Sequence, residues 1–240
     1  MGERATTIRR GPKGLGYEVP KSTAALLHDE LRRAIIEGRI RAGQSLSESD
    51  VCRQYDVSRQ PVREAFAKLA YENLIDVLPQ RGTYVRRISA RQVMQARFVR
   101  EIIEVALVQE LAAMPRRTPV VIELRRILQA QTTVAPGDRV TFNSLDEAFH
   151  RTLAHAGDRD FAWQVIEDVK AQMDRVRYLS LERATPFDML VAQHVRIVDA
   201  IEAGDVVAAG DAVRAHLREI TRTLPEIAAA FPDAFESEAA

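Results

Sequence analysis

From Ser22 onward the apolar residues of this chain recur at helical spacing, and only one short stretch alternates like strand. That pattern constrains the fold more than any other feature. Leu27, Leu31 and Ile35 recur every four residues on one face of a first helix, which Gly38 can end. Arg41-Ala42-Gly43 reads as a turn. Ser47 and Asp50 stand at capping-box spacing and start a second, short helix ending near Tyr55. Asp56-Val57 is a tight turn, and Ser58 can N-cap a third helix with Pro61 in its first turn, where a missing N–H costs little. The third helix places Val62, Ala65, Phe66 and Leu69 on one face and runs to about Glu72. Residues 75–78 and 83–85 read as two short strands joined by a turn over Pro79-Gln80-Arg81-Gly82.

After Ile88 the strand signal is gone. Ser89 with Gln92 three residues later caps a long helix to about Ala113. Breaks at Pro115, Thr118-Pro119, Pro136-Gly137, Gly157-Asp158, Thr185-Pro186 and Gly204-Asp205 then leave about six helices. The fold class that follows is mainly α. An N-terminal winged helix-turn-helix with a small β-hairpin wing occupies 21–88, and an all-α antiparallel helical bundle occupies 89–240. Residues 1–20, rich in Gly, Pro and basic side chains, are expected to form a flexible arm. The Ala- and acid-rich tail after Pro225 is expected to fray.

Charge divides at the same place. The chain carries 34 Lys and Arg against 34 Asp and Glu, a net charge of zero. Residues 1–90 hold 16 basic against 11 acidic groups, so the remainder is acidic by the same margin. The zero is therefore a basic third cancelled by an acidic two-thirds, the sign of two domains with different partners. A single cysteine, Cys52, rules out an intrachain disulfide and reads as a core thiol. No apolar run is long enough to span a membrane, and the N-terminus lacks the apolar core of a secretory signal. A cytoplasmic protein with no membrane partner is expected.

The third helix carries the chemistry of the basic third. On a helical wheel Gln60, Arg63 and Ala67 face away from the apolar set, and Arg59 lies on the flank. Arg pairs bidentately with guanine O6/N7 and Gln with adenine N6/N7, so this first turn suits the major groove of double-stranded DNA. Ser58 and the free N–H groups of the helix start suit a phosphate. Residues 38–85, GRIRAGQSLSESDVCRQYDVSRQPVREAFAKLAYENLIDVLPQRGTYV, resemble the GntR family of bacterial transcription regulators. The resemblance lies in G-x-I-x-x-G-x-x-L-x-E, V-S-R-x-P-V-R-E-A and P-x-R-G-x-x-V. It implies that Arg59 and Arg63 bind the operator, that Gln60 tunes sequence choice, and that the wing tip Arg81-Gly82 reaches the minor groove. Glu64 is expected to partner a nearby Arg. Asp56 stands where the family usually has Gly, which Asp can replace in a left-handed turn. Ser49 stands where some members carry a DNA-contacting Arg.

In the acidic part, Asp146 and His150 are four apart and share a helix face. His194 lies among Leu190, Ile197 and Ile201, and His216 beside Val213, Leu217 and Ile220. Spacing alone does not show that the three helices meet. Residues 90–240 resemble the all-helical FCD effector domain of the FadR-type branch of the same family. The carrying motifs are D-x-x-F-H at 146–150, H-x-x-I-x-x-A-I-x-x-G-D at 194–205 and A-x-x-A-x-x-x-H-L, which ends in Ala212-Val213-Arg214-Ala215-His216-Leu217. The resemblance implies a divalent metal (Zn, Ni, Mn or Fe, with Zn expected in purified protein) on Asp146, His150, His194 and His216. It also places an effector-binding Arg at Arg100. Arg175 and Arg177 are further candidates for holding the effector. His28, His155 and Trp163 match no such position and read as ordinary surface or core residues.

The function expected is a homodimeric, DNA-binding transcription regulator, a repressor by expectation. It would read a pseudo-palindromic operator and respond to a small organic-acid effector bound at the metal. A metal-dependent enzyme using the Asp/His set and a regulator sensing the metal ion itself are the alternatives. The enzyme lacks a positioned base, since Glu147 next to Asp146 points about 100° away.

Overall fold

In the computed structural model, residues 21–237 are described, so the arm expected over 1–20 lies outside them. The first helix, α1 (Thr23–Ile36), starts on a Ser22 side chain that accepts from Ala25 N–H. It stops where Gly38 takes φ 71°, a left-handed conformation that ends helices at small cost for Gly. A two-residue strand, β1 (Ser45–Leu46), leads into α2 (Glu48–Tyr55), capped by Ser47 as the spacing predicts. Asp56 ends α2 at φ 51°, ψ 49°, the left-handed turn expected of it. The third helix, α3 (Arg59–Tyr71), buries Val62, Ala65, Phe66 and Leu69. Strands β2 (Ile75–Leu78) and β3 (Gly82–Val85) form the wing.

The sheet has three antiparallel strands in the order β1-β3-β2, with Leu46 opposite Thr83 and Ile75 opposite Val85. The wing is thus a hairpin with an extra edge strand that two residues without alternation could not announce. Gly82 takes φ 99° at the wing turn, and the Tyr84 hydroxyl donates to the Arg81 carbonyl at 2.8 Å, which fixes the tip.

Six helices follow: α4 (Ala90–Ala113), α5 (Thr118–Thr132), α6 (Arg139–His155), α7 (Asp160–Arg183), α8 (Phe187–Ala203) and α9 (Val206–Ala230). Ser89 occupies the N-cap of α4, but its side chain makes no capping bond, so the expected box with Gln92 does not form. Val108, Leu111, Leu124, Phe149, Ile197 and Leu217 belong to one core, drawn from α4, α5, α6, α8 and α9. Among the described residues, no helix is long and apolar enough to cross a membrane.

The tail corrects an expectation. The described residues after Pro225, 226–237, do not fray. Helix α9 continues through the proline to Ala230. Pro225 faces solvent, where the carbonyl left without its N–H partner is open to hydration, while Leu224 and Ile227 stay buried on the other face. The chain then returns to the domain junction. Ile88 N–H donates to the Ala234 carbonyl at 2.8 Å, Glu236 N–H donates to the Ile88 carbonyl at 2.9 Å, and Phe235 is buried.

Helix α7 joins the two parts. Ala171 packs into the core of the winged helix. Gln172 donates to the Asn73 carbonyl at 2.6 Å, and Arg32 on α1 donates to Asp174 at 3.0 Å. These bonds set the reading head against the helical bundle.

Candidate metal centre and reading helix

Asp146 and His150 project from one face of α6, as their spacing requires, while His194 comes from α8 and His216 from α9. All four are buried, and one ligand atom from each lies within 4.8 Å of the others. Atoms bound to one ion at about 2.1 Å lie up to ~4.2 Å apart, so a small contraction would close the set.

Each imidazole is held by its Nδ1. His150 Nδ1 meets Glu104 Oε2 at 2.6 Å, His194 Nδ1 meets Gln131 Oε1 at 3.0 Å, and His216 Nδ1 meets Gln193 Oε1 at 2.8 Å. An oxygen acceptor at each Nδ1 places the ring proton there and leaves a lone pair on each Nε2. The Nε2 atoms converge. His216 and His150 bring theirs to 3.2 Å of each other, and His194 Nε2 is buried without a hydrogen-bond partner. Lone pairs facing one another beside a carboxylate are unfavourable unless a cation lies between them. The donor set therefore fits a divalent metal. The Phe149 ring stacks on His194 at 4.1 Å between centroids and fixes its plane.

Charge is arranged to keep these groups metal-competent. Burial pushes His194 down to about 3 and His216 well below its ordinary range, so both are neutral at neutral pH. Burial would raise Asp146, but the neighbouring Arg177 guanidinium and imidazoles outweigh it and hold the carboxyl below its usual range. Arg177 Nη1 donates to Asp146 Oδ1 at 2.6 Å. Arg100 Nε donates to Glu104 Oε1 at 2.7 Å, so Arg100 fixes the carboxylate that orients His150. This pair is buried, unlike the exposed helix pair that i,i+4 spacing alone suggests.

Arg177 thus stands at the quartet, while Arg175 faces the domain junction and donates to the Arg86 carbonyl at 2.8 Å. His28 lies far from the quartet, bonded to Glu72 at 2.8 Å, and His155 is exposed and paired with Asp160. Trp163 is a core residue beside Leu107 and Ile166. The Gln131 and Gln193 partners had no sequence signal beyond Gln193 adjoining His194. Glu104 stands four residues after Arg100 in the sequence, and nothing there links it to His150.

On the reading head, Ser58, Arg59, Gln60, Arg63, Arg81 and Gly82 are all exposed. Ser58 sits at the N-cap of α3 without a capping bond, so its hydroxyl and the first N–H groups remain open. Arg63 Nε donates to Glu48 at 3.1 Å across the turn. Glu64 takes its bond from Gln60 at 2.8 Å, rather than from an arginine. Ser49 bonds Ser47 at 2.7 Å. Cys52 is half-buried against the head core.

Known proteins share both halves. Residues 23–85 match the model described as bacterial regulatory proteins, gntR family, and residues 95–219 match the FCD domain. The chain is 38% identical over 208 residues to the HTH-type transcriptional repressor RspR of Escherichia coli K12, covering 87% of this chain and 91% of that protein. It is 28% identical over 190 residues to the gluconate operon transcriptional repressor of Bacillus subtilis, covering 77% of each. Among solved structures, a GntR regulator from Rhodococcus sp. RHA1 aligns with TM-score 0.69 at 27% identity, over 88% of this chain and 99% of that one. Escherichia coli McbR/YncC shares the fold with TM-score 0.72 at 18% identity, over 88% and 99%. The winged head, the all-helical FCD domain behind it and these relatives place the chain in the GntR family of bacterial DNA-binding transcription regulators, proteins that are not enzymes.

Proposed function

We propose that this chain is a homodimeric repressor of the FadR-type branch, controlled by a small carboxylate held at a divalent metal. Residues 21–88 read one half-site of a pseudo-palindromic operator, and residues 89–240 dimerise and bind the effector. Ser58 anchors a phosphate, Arg59, Gln60 and Arg63 meet base edges, and Arg81-Gly82 reach into the minor groove. Arg63 must leave Glu48 to do so, and an exposed pair of this kind holds it by only ~0–1 kcal/mol. The names of the Escherichia coli and Bacillus subtilis relatives, both repressors, support the sense of regulation.

The observation that carries the metal reading is the buried quartet with its unpartnered His194 Nε2. A metal there would supply open positions for a carboxylate oxygen. Arg177 neutralises Asp146 in the way a cation would. With a metal on Asp146, its guanidinium is released to pair with an acid. Arg100 offers its Nη nitrogens, which make no hydrogen bond among the described residues. The gluconate operon of one relative names a carboxylate of the right class. Phe98 and Ile102, four apart on α4 and 58% and 56% exposed, offer an apolar stripe for the dimer.

Elemental analysis of protein purified without chelator tests the metal reading. About one ion per chain is expected in the wild type, Zn foremost, with loss in His194→Ala and His216→Ala. Folded wild-type protein that takes up no divalent metal would overturn it.

A further inference from the structure

A crevice of about 350 Å³ opens between the two domains, and none of the metal-ligating quartet lines it. Ile35, Ile36 and Ile40 of the head line one side, Leu179 and Phe231 of the bundle line the other, and Ile88 lines it at the junction. Arg41 and Asp233 also border it, one charge of each sign. Arg175 lines the same space.

Arg175 is the unusual member. It is 4% exposed. No carboxylate among the described residues lies within ion-pair distance of it. Its Nη1 bonds the Arg86 carbonyl at 2.8 Å and Gln172 Oε1 at 3.3 Å, and its Nε and Nη2 make no hydrogen bond. Every other buried Arg or Lys among the described residues has a carboxylate: Arg100 has Glu104, and Lys170 has Asp174. A buried cation without a counter-ion is costly, and such groups normally find an anion. With none beside it, burial alone pushes the Arg175 guanidinium down to about 10.

We propose that this crevice is a second ligand site, taking a small monocarboxylate with an apolar body. The carboxylate pairs with Nε and Nη2 of Arg175 in the fork geometry guanidinium favours, and the apolar body lies between the isoleucines and Leu179. The volume is at the small end of the ~300–1,000 Å³ range of ligand pockets. At about 30 Å³ for each small group, it admits on the order of ten heavy atoms. One wall belongs to the reading head and the other to the helical bundle, so a bound acid touches both domains and favours the relative placement in which the crevice is formed. This site is independent of the proposed effector site at the metal.

Calorimetry on the full metal-loaded chain, with 3-phenylpropanoate as the probe, tests the proposal. Saturable binding to the wild type is expected. Two comparisons should each weaken it by about tenfold or more: the alcohol 3-phenylpropan-1-ol, which keeps the body and lacks the charge, and the Arg175→Met variant. Affinity should be unchanged in Arg125→Met, a half-exposed arginine outside the crevice. Ile40→Trp, which narrows the crevice from the head side and leaves the metal centre untouched, should also weaken acid binding by about tenfold or more, and it decides the matter even if Arg175→Met folds poorly. Absence of saturable binding, equal binding of acid and alcohol, or undiminished acid affinity in both Arg175→Met and Ile40→Trp would each overturn the site.

Discussion

Three imidazoles give one nitrogen to a fixed oxygen and turn the other toward a shared centre, and burial keeps His194 and His216 uncharged while they do so. That has a measurable consequence. Both rings have folded-state pKa values below the ordinary 6.5, so below that pH the unfolded chain binds more protons than the native one. Their contribution to stability is complete above about pH 6.5 and falls as pH drops from there toward the depressed native values, by about 1.4 kcal/mol per unit for each ring. Urea unfolding of metal-free protein should show its midpoint falling steadily across that window, and a flat profile would contradict the burial argument. Metal-loaded protein should fall more steeply, because acid also displaces the ion. At this scale the sequence carried the candidate ligands and not their supports. Asp146 and His150 declare a shared face by spacing, and the family motif adds His194 and His216. Gln131 sits on α5, distant in sequence from the ring it orients, so only tertiary packing brings it there.

Among the elements, those governed by local chemistry were legible. Ser47 caps as expected, Asp56 takes the left-handed turn, and the breaks delimit six helices in the second part. Apart from the capping box expected at Ser89, what failed depended on contacts distant in sequence. The edge strand β1 exists only because β3 pairs with it. Pro225 and the alanines after it look like an ending, but residues 226–237 are held by Ile88 and by the apolar cluster that receives Phe235. Phe235→Ala should therefore destabilise the protein by about 3 kcal/mol, near the lower end for a buried aromatic. Denaturant melts compared with wild type check this, and a change within ~0.5 kcal/mol would show that the tail contributes nothing.

For the whole molecule, α7 is the element that both domains share. Asp174 on α7 accepts from Arg32 of the head at 3.0 Å and from Lys170 at 2.6 Å, and three residues later Arg177 reaches the quartet. Asp174→Asn removes one charge that both cations share, while Arg32 keeps Glu72 at 3.1 Å and Lys170 keeps Glu147 at 3.7 Å, and should cost on the order of 2 kcal/mol. Unchanged unfolding midpoints would show that this junction is not stabilised by the ion pair. The division of charge seen in the sequence fits this architecture: the basic head presents α3 and the wing, and the acidic bundle stands behind. The central claim is that the exposed first turn of α3 reads DNA. It is tested most directly by fluorescence anisotropy on fragments selected from genomic DNA by the wild-type protein. Salt-sensitive binding is predicted, weakened about tenfold or more in both Arg59→Ala and Arg63→Ala, since each base-edge pairing contributes ~1–3 kcal/mol. Undiminished affinity in both variants would contradict the account.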